Sequence, residues 1–266
     1  MLLVLSCAAP AVAQVCPLDR SPFLPWVALP DELKCDFDQD GNGLDDAIER
    51  QIAACVAPLI LFDSGENARL PGEPRTLFTA ERVGLDSVLI TYIGLFAYDG
   101  GYVFSACGND HPGDFMVVRV KVAIGRQLGT WTAAPVEVSG GDLGTLVAGQ
   151  DIQLNGSHAV VYASAGKHHQ YAEPYQGPAG NYGCNDRAYG DGDAVVLGSD
   201  SPLSHVSSTA FLTATLGATA ASNLCLLATD PLELDAPADG FQEESLASLG
   251  YSGHGLFDSF YGLESP

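Results

Sequence analysis

The chain has 266 residues, 11 Lys and Arg against 33 Asp and Glu, and a formal net charge of −22. So acidic a balance opposes nucleic acid and anionic lipid, because both require a basic patch that releases counterions. It suits divalent cations and saline media, and the length suffices for one large β domain with a full core.

Residues 1 to 13 read as a signal peptide. The short apolar run Leu2-Leu3-Val4-Leu5 leads to Ala11-Val12-Ala13, with cleavage expected before Gln14. A secreted location follows, extracellular or periplasmic. No later run approaches the ~20 apolar residues of a membrane helix, so no transmembrane segment is expected. Beyond the signal stand Cys16, Cys35, Cys55, Cys107, Cys184 and Cys225. An even count in a secreted chain favours three disulfides. Cys16 with Cys35, and Cys184 with Cys225, are the expected pairs. The absence of Cys-x-x-Cys argues against zinc.

Residues 14 to 56 form an N-terminal segment built around Asp38-Gln39-Asp40-Gly41-Asn42-Gly43-Leu44-Asp45-Asp46-Ala47-Ile48-Glu49. This is the spacing of an EF-hand-like calcium loop. Asp38, Asp40 and Asn42 supply side-chain oxygens at positions one, three and five, and Gly43 makes the sharp turn at six. Leu44 offers its carbonyl, Asp46 a carboxylate or bridged water, and Glu49 a bidentate carboxylate at twelve. The competing reading is an acidic, Gly-rich turn. Asp45 stands where paired loops place an aliphatic residue, so a solitary structural loop is expected. Leu44, Ile48, Ile52 and Cys55 follow at helical spacing, which predicts a short amphipathic helix.

Residues 57 to 266 read as one mainly β domain, an antiparallel β-sandwich. Strands are predicted at Leu59–Phe62, Ser87–Tyr98, Phe115–Val122, Thr130–Val138, Ala159–Ser164, Ala194–Leu197 and Asn223–Ala228. The Ser87–Tyr98 run has the continuous apolar character of a strand buried on both faces. In the next strand Asp114, Met116, Val118, Val120 and Val122 share one face. Residues 166 to 193 read as a long Gly/Tyr/Asp loop, too long to be idle. Within it Lys167-His168-His169 reads by itself as a solvated loop face, Asp186, Asp191 and Asp193 as ligands of calcium or water, and the tyrosines mainly as packing.

His111-Pro112-Gly113-Asp114-Phe115 resembles the His-x-Gly-Asp-Trp-Glu motif of the vacuolar protein sorting-associated family numbered sixty-two. It is similar, more distantly, to the Gly-His-Arg-His-Asp-Trp-Glu heptapeptide of necrosis- and ethylene-inducing-like cytolysins. Tyr98 to Gly101 before it and Ser164 to Tyr171 after it stand in the expected order, so the resemblance covers roughly residues 57 to 200. It implies an antiparallel sandwich with a divalent cation in a surface pocket. In the cytolysins that cation helps engage sphingolipid sugar headgroups of a target membrane. Carried over, His111 and Asp114 match motif positions, and Asp99 stands where an earlier acidic ligand would be. The motif Glu is Met116 here, so a second metal site at Asp99, His111 and Asp114 needs another oxygen, with Asp110, Asp191 and Asp193 nearest in type.

Three functional readings follow. The first is a calcium-stabilised sandwich binding a surface glycan or lipid headgroup, as a cytolysin-like effector would. The second is a metal-assisted hydrolase with His111, Asp114 and His168 in one pocket and His168 as general base. The third is a structural cell-surface module. Gly250-Tyr251-Ser252-Gly253-His254 fails the nucleophile-elbow pattern at its last position, and no His-Glu-x-x-His occurs.

Overall fold

The computed structural model describes residues 15–23, 37–38, 43–69, 74–104, 107, 110–140, 152–179, 184–198 and 204–205, with a few strand residues, His111 among them, by backbone alone. The strand expected at Asn223–Ala228, the signal peptide, Cys35, Cys225, Asp40 and Asn42 lie outside the described residues.

The molecule is mainly β, with antiparallel pairing dominant, as the alternation of its strands predicts. The large sheet has the order β1-β6-β5-β4-β3-β13. Its strands are β1 (Cys16–Leu18), β3 (Arg75–Arg82), β4 (Ser87–Asp99), β5 (His111–Gln127), β6 (Thr130–Gly140) and β13 (Ser204–His205). A smaller sheet runs β12-β2-β8-β7. It comprises β2 (Leu59–Phe62), β7 (Leu154–Asn155), β8 (His158–Ala163) and β12 (Ala194–Val196), and β9 (Gln170–Tyr171) also pairs with β8. β10 (Tyr175–Ala179) and β11 (Cys184–Ala188) make a separate hairpin. Two pairings, β2 with β8 and β3 with β13, are parallel. Three strands therefore occupy the stretch expected to be a loop. Their letters, Gln170-Tyr171, Tyr-Gln-Gly-Pro-Ala and Cys-Asn-Asp-Arg-Ala, lack the apolar alternation that betrays a strand.

The core lies between the facing sides of the sheets. Val88, Ile90 and Tyr92 of β4 stand opposite Val122, Val120 and Val118 of β5, all fully buried. Period-two alternation turns these six side chains to one face, where they meet Ile60 and Phe62 of β2 and Val161 of β8 in one cluster. Met116 faces Gly94 across the strands, and a methyl group added at Gly94 would come within 2.8 Å of the Met116 side chain.

The predicted helix is present as α1 (Asp46–Val56). Asp45 is its N-cap, accepting from the N–H groups of Ala47 and Ile48. Ile48, Ile52 and Val56 join the same core as the sheets. The orphan carbonyls at its C-terminal end are met by side chains of the sheets. Tyr92 donates to the Ala53 carbonyl (2.7 Å), and Ser157 donates to that of Cys55 (2.7 Å).

The two described disulfides correct the expected pairs. Cys16 bonds Cys55, joining edge strand β1 to the last turn of α1. Cys107 bonds Cys184, tying the segment after β4 to the start of β11. Cys55 was placed by its spacing on the inner helix face, and that face turns to β1.

Candidate functional site

Charged side chains converge where β2, β4 and β8 end and β5 begins. Each is delivered by a strand terminus, where a rigid sheet hands the chain to a loop. The turn after β2 carries Asp63 and Glu66, the end of β4 carries Asp99, the start of β5 carries Asp114, and the β8–β9 connection carries Lys167, His168 and His169.

The β8–β9 connection is tightly wound. Its Ser164 N–H donates to the His169 carbonyl (2.9 Å), and the His168 N–H donates to the Ser164 carbonyl (3.1 Å). Gly166 has φ +76, donates its N–H to Glu66 Oε2 (2.9 Å) and accepts from the Gly100 N–H (2.8 Å). A Cβ at Gly166 would come 2.6 Å from the Gly101 carbonyl oxygen, so only glycine permits this approach. His168 has φ 52, a strained conformation for a residue other than glycine.

That strain seats the His168 ring, wholly buried, between two carboxylates. Nδ1 lies 2.7 Å from Asp114 Oδ2. Nε2 lies 3.4 Å from Glu66 Oε2, an ion-pair distance too long for a good hydrogen bond. One ring face stacks on Phe96 at 3.6 Å between centroids. Burial pushes the imidazole pKa down, but the bond to Asp114 and the charges of Asp114 and Glu66 outweigh it and raise it to about 9. Burial likewise pushes the Glu66 pKa up, but His168 and the N–H groups of Gly166 and Ala68 hold it down at about 2. The raised pKa favours the imidazolium at neutral pH, a form with no lone pair to accept a proton, and the ring is wholly buried. This favours an internal counter-ion over the general base of the hydrolase reading.

Lys167 repeats the theme. Its ammonium meets Asp99 Oδ2 at 2.6 Å with both side chains buried, and it lies 5.3 Å from the centre of the Tyr102 ring. Asp99 Oδ1 accepts the Gly101 N–H (2.7 Å). A third unit is Arg187 on Asp63. Its Nε lies 2.9 Å from Asp63 Oδ2, and Asp63 also accepts the N–H groups of Gly65 and Tyr189. Burial pushes the Asp63 carboxyl pKa up, but Arg187 and these N–H groups bring it below the ordinary value. The Arg187 guanidinium lies 3.5 Å from the Phe104 ring centre and 5.1 Å from that of Tyr189, and both rings are exposed.

The expected site residues thus come together in part. Asp114 and His168 touch, and Asp99 and His111 are register partners on β4 and β5. Both carboxylates of the expected second metal site carry side-chain cations, and Met116 lies wholly in the core. That donor set fits a divalent ion poorly. Asp110, Asp191 and Asp193 are engaged by Tyr98, Ser64 and Arg69. Asp186 accepts from Tyr171 and pairs with His169 (2.9 Å each), and Tyr171 stacks on Tyr175 as packing predicts. Lys167 and His168 are buried, a correction to the solvated face. Sequence reasoning missed Asp63, Glu66, Phe104 and Arg187. The turn letters Asp63-Ser64-Gly65-Glu66 right after a strand were the available signal.

In the segment expected to be a calcium loop, Asp38 and Glu49 are wholly buried carboxylates. Asp38 Oδ2 accepts the Gly43 N–H (2.9 Å), and Gly43 has φ 90, as the sharp turn at position six requires. Leu44 forms an isolated bridge with Phe23, and Asp46 opens α1. Arg20 pairs with Asp45 (2.6 Å), outside the expected ligand set.

No family model matches the chain, and no curated protein matches it. Two solved structures are similar to it at a low level. One is the crystal structure of the non-toxic HaNLP3 protein, at 12% identity over 55% of this chain and 71% of that one, with a TM-score of 0.33. The other is described as a toxin fold for microbial attack and plant defense, at 10% identity over the same shares, with a TM-score of 0.30. Likeness this slight carries no site residue across.

Proposed function

We propose that this protein is a secreted, calcium-stabilised β-sandwich that binds a surface glycan or lipid headgroup, as a cytolysin-like effector would. The observation that carries the reading is the rim of Phe104, Arg187 and Tyr189. Two partly exposed aromatic rings flank a guanidinium fixed on buried Asp63. Exposed rings stack on the apolar faces of sugars, and a held guanidinium donates to hydroxyl or phosphate oxygens. The charge network beneath makes the rim rigid, which lowers the ordering cost of binding. Disulfides suit an oxidising compartment. Calcium belongs at Asp38, Asp40, Asn42, Leu44, Asp46 and Glu49, where it would tie the loop to α1.

A glycan array probed with the full chain tests the reading. Binding to at least one glycan class is expected, weakened about tenfold or more by Phe104→Ala or Tyr189→Ala at unchanged melting temperature. A blank array together with no retention on headgroup-bearing vesicles would contradict it and leave the structural-module reading.

A further inference from the structure

We propose that the end of the large sheet opposite the candidate site is a membrane-surface anchor, in which the hairpin tips bearing Leu85 and Leu128 enter the interface of a zwitterionic phospholipid bilayer. A single exposed leucine needs no explanation. Here two hairpins at one end share one construction. The β3–β4 turn carries Leu85, 88% exposed, beside half-exposed Val83, and the β5–β6 turn carries Leu128, fully exposed.

Leu128 is also in the wrong kind of place for a leucine. Its φ is 49 and that of Gly129 is 89, so both central residues of the turn are left-handed. Asn-Gly is the pair such a turn favours, because Asn tolerates the conformation and water. Leucine there loses on backbone conformation and on solvation together, and the fold gains no contact from it.

Behind each tip stands the same brace. Arg82 donates from Nε to the Gly84 carbonyl (3.0 Å), with its guanidinium 4.4 Å from the centre of the Phe23 ring. Arg126 donates from Nε to the Gly129 carbonyl (3.1 Å), with its guanidinium 5.8 Å from that of Trp131. The order from each tip inward is apolar, cationic, aromatic. A bilayer interface presents hydrocarbon and then phosphate in the same order, while the Phe23 and Trp131 rings pack on the core and hold the guanidinium groups in place. Each guanidinium keeps donors for a phosphate after bonding its turn. The net charge of −22 repels an anionic surface, so the matching surface is zwitterionic.

The register fixes how the tips meet a plane. Ile124 donates its N–H to the Asp86 carbonyl (2.7 Å), so Leu128 projects about three residues, or roughly 10 Å, beyond Leu85. The two hairpins lie about 10 Å apart across the sheet, so a sheet tilted by about 45° brings both leucines to one surface.

Sedimentation of the full chain with phosphatidylcholine vesicles tests the anchor, with phosphatidylglycerol vesicles as the anionic arm. Wild type should partition onto phosphatidylcholine, and less onto phosphatidylglycerol. Leu85→Ser and Leu128→Asn should each cut partitioning about tenfold or more, as loss of one buried leucine requires. Leu128→Asn should melt no lower than wild type, because Asn suits that turn. Wild type remaining in the supernatant, or leucine variants that bind like wild type, would overturn the proposal. So would loss of vesicle binding in Phe104→Ala alone, which would move the contact to the glycan rim. Sedimentation velocity supplies the last contrary outcome: a wild-type dimer that Leu128→Asn turns into a monomer would mean the tips bind a second copy.

Discussion

Two acidic regions of this chain solve the same problem in different ways. At the strand ends, buried carboxylates are matched by the protein's own cations: Asp63 by Arg187, Asp99 by Lys167, and Asp114 with Glu66 by His168. Each partner is remote in sequence, and the fold supplies the charge. In the loop from Asp38 to Glu49 the sequence contains no Lys, Arg or His, yet both end carboxylates are wholly buried. There folding brings Arg20 to Asp45, and we propose calcium from solution as the further balancing charge. An acidic cluster alone does not mark a metal site. At the strand ends each of these carboxylates meets a side-chain cation, whereas in the loop Arg20 meets Asp45, which is not one of the expected ligands.

The largest expected effect comes from adding a carboxylate to the end that is already balanced. Met116→Glu places an acid in a fully packed position opposite Gly94, with no cation left for it, and should cost roughly 4 kcal/mol in urea unfolding. Unchanged stability with newly gained cation binding would break the comparison and restore a metal to Asp99, His111 and Asp114. Removing a cation comes next. Lys167→Met leaves Asp99 without its ammonium and should cost about 3 kcal/mol. Combining it with Asp99→Asn should recover most of the loss, and a double variant no better than the single would refute the pairing.

The pH dependence sharpens the same point. His168 is raised from 6.5 to about 9, so its contribution is complete below pH 6.5 and disappears as pH rises through about 9. Glu66 is lowered from 4.5 to about 2, so its contribution is complete above pH 4.5 and disappears as pH falls to about 2. Both shifts describe one triad, so they are not summed, and each limb spans about 3 kcal/mol. Stability should be flat between pH 4.5 and 6.5 and fall on both sides. His168→Gln should flatten the alkaline limb, and an alkaline limb that survives it would assign the titration elsewhere.

What could be read from the letters depended on whether partners were local. β4 was legible because Ser87 to Tyr98 is an almost unbroken apolar and β-branched run, and β5 because Met116, Val118, Val120 and Val122 share one face. β3 was not, because its buried face is Thr76, Phe78 and Ala80, a polar, an aromatic and a small residue that make no clear apolar stripe. Asp99 and Asp114 were legible as acids at strand ends, and α1 as a period of apolar residues after a turn. Asp63 and Arg187 were not, since a pair 124 residues apart leaves no spacing to read. The disulfides failed for the same reason: proximity in sequence suggested Cys35 for Cys16, and packing of α1 on β1 chose Cys55. Lys167 and His168 look solvated in sequence, and only the approach of Gly166 to Gly100 and Gly101 buries them.

Calorimetric calcium titration of three proteins tests the division between the two regions most directly. Wild type should bind one calcium with a matching rise in melting temperature, because a ligand of the folded state stabilises by mass action. Glu49→Gln should lose both the heat and the rise, and Asp114→Asn should keep both. Calcium binding that survives Glu49→Gln and vanishes in Asp114→Asn would put the ion at the strand ends and contradict the account.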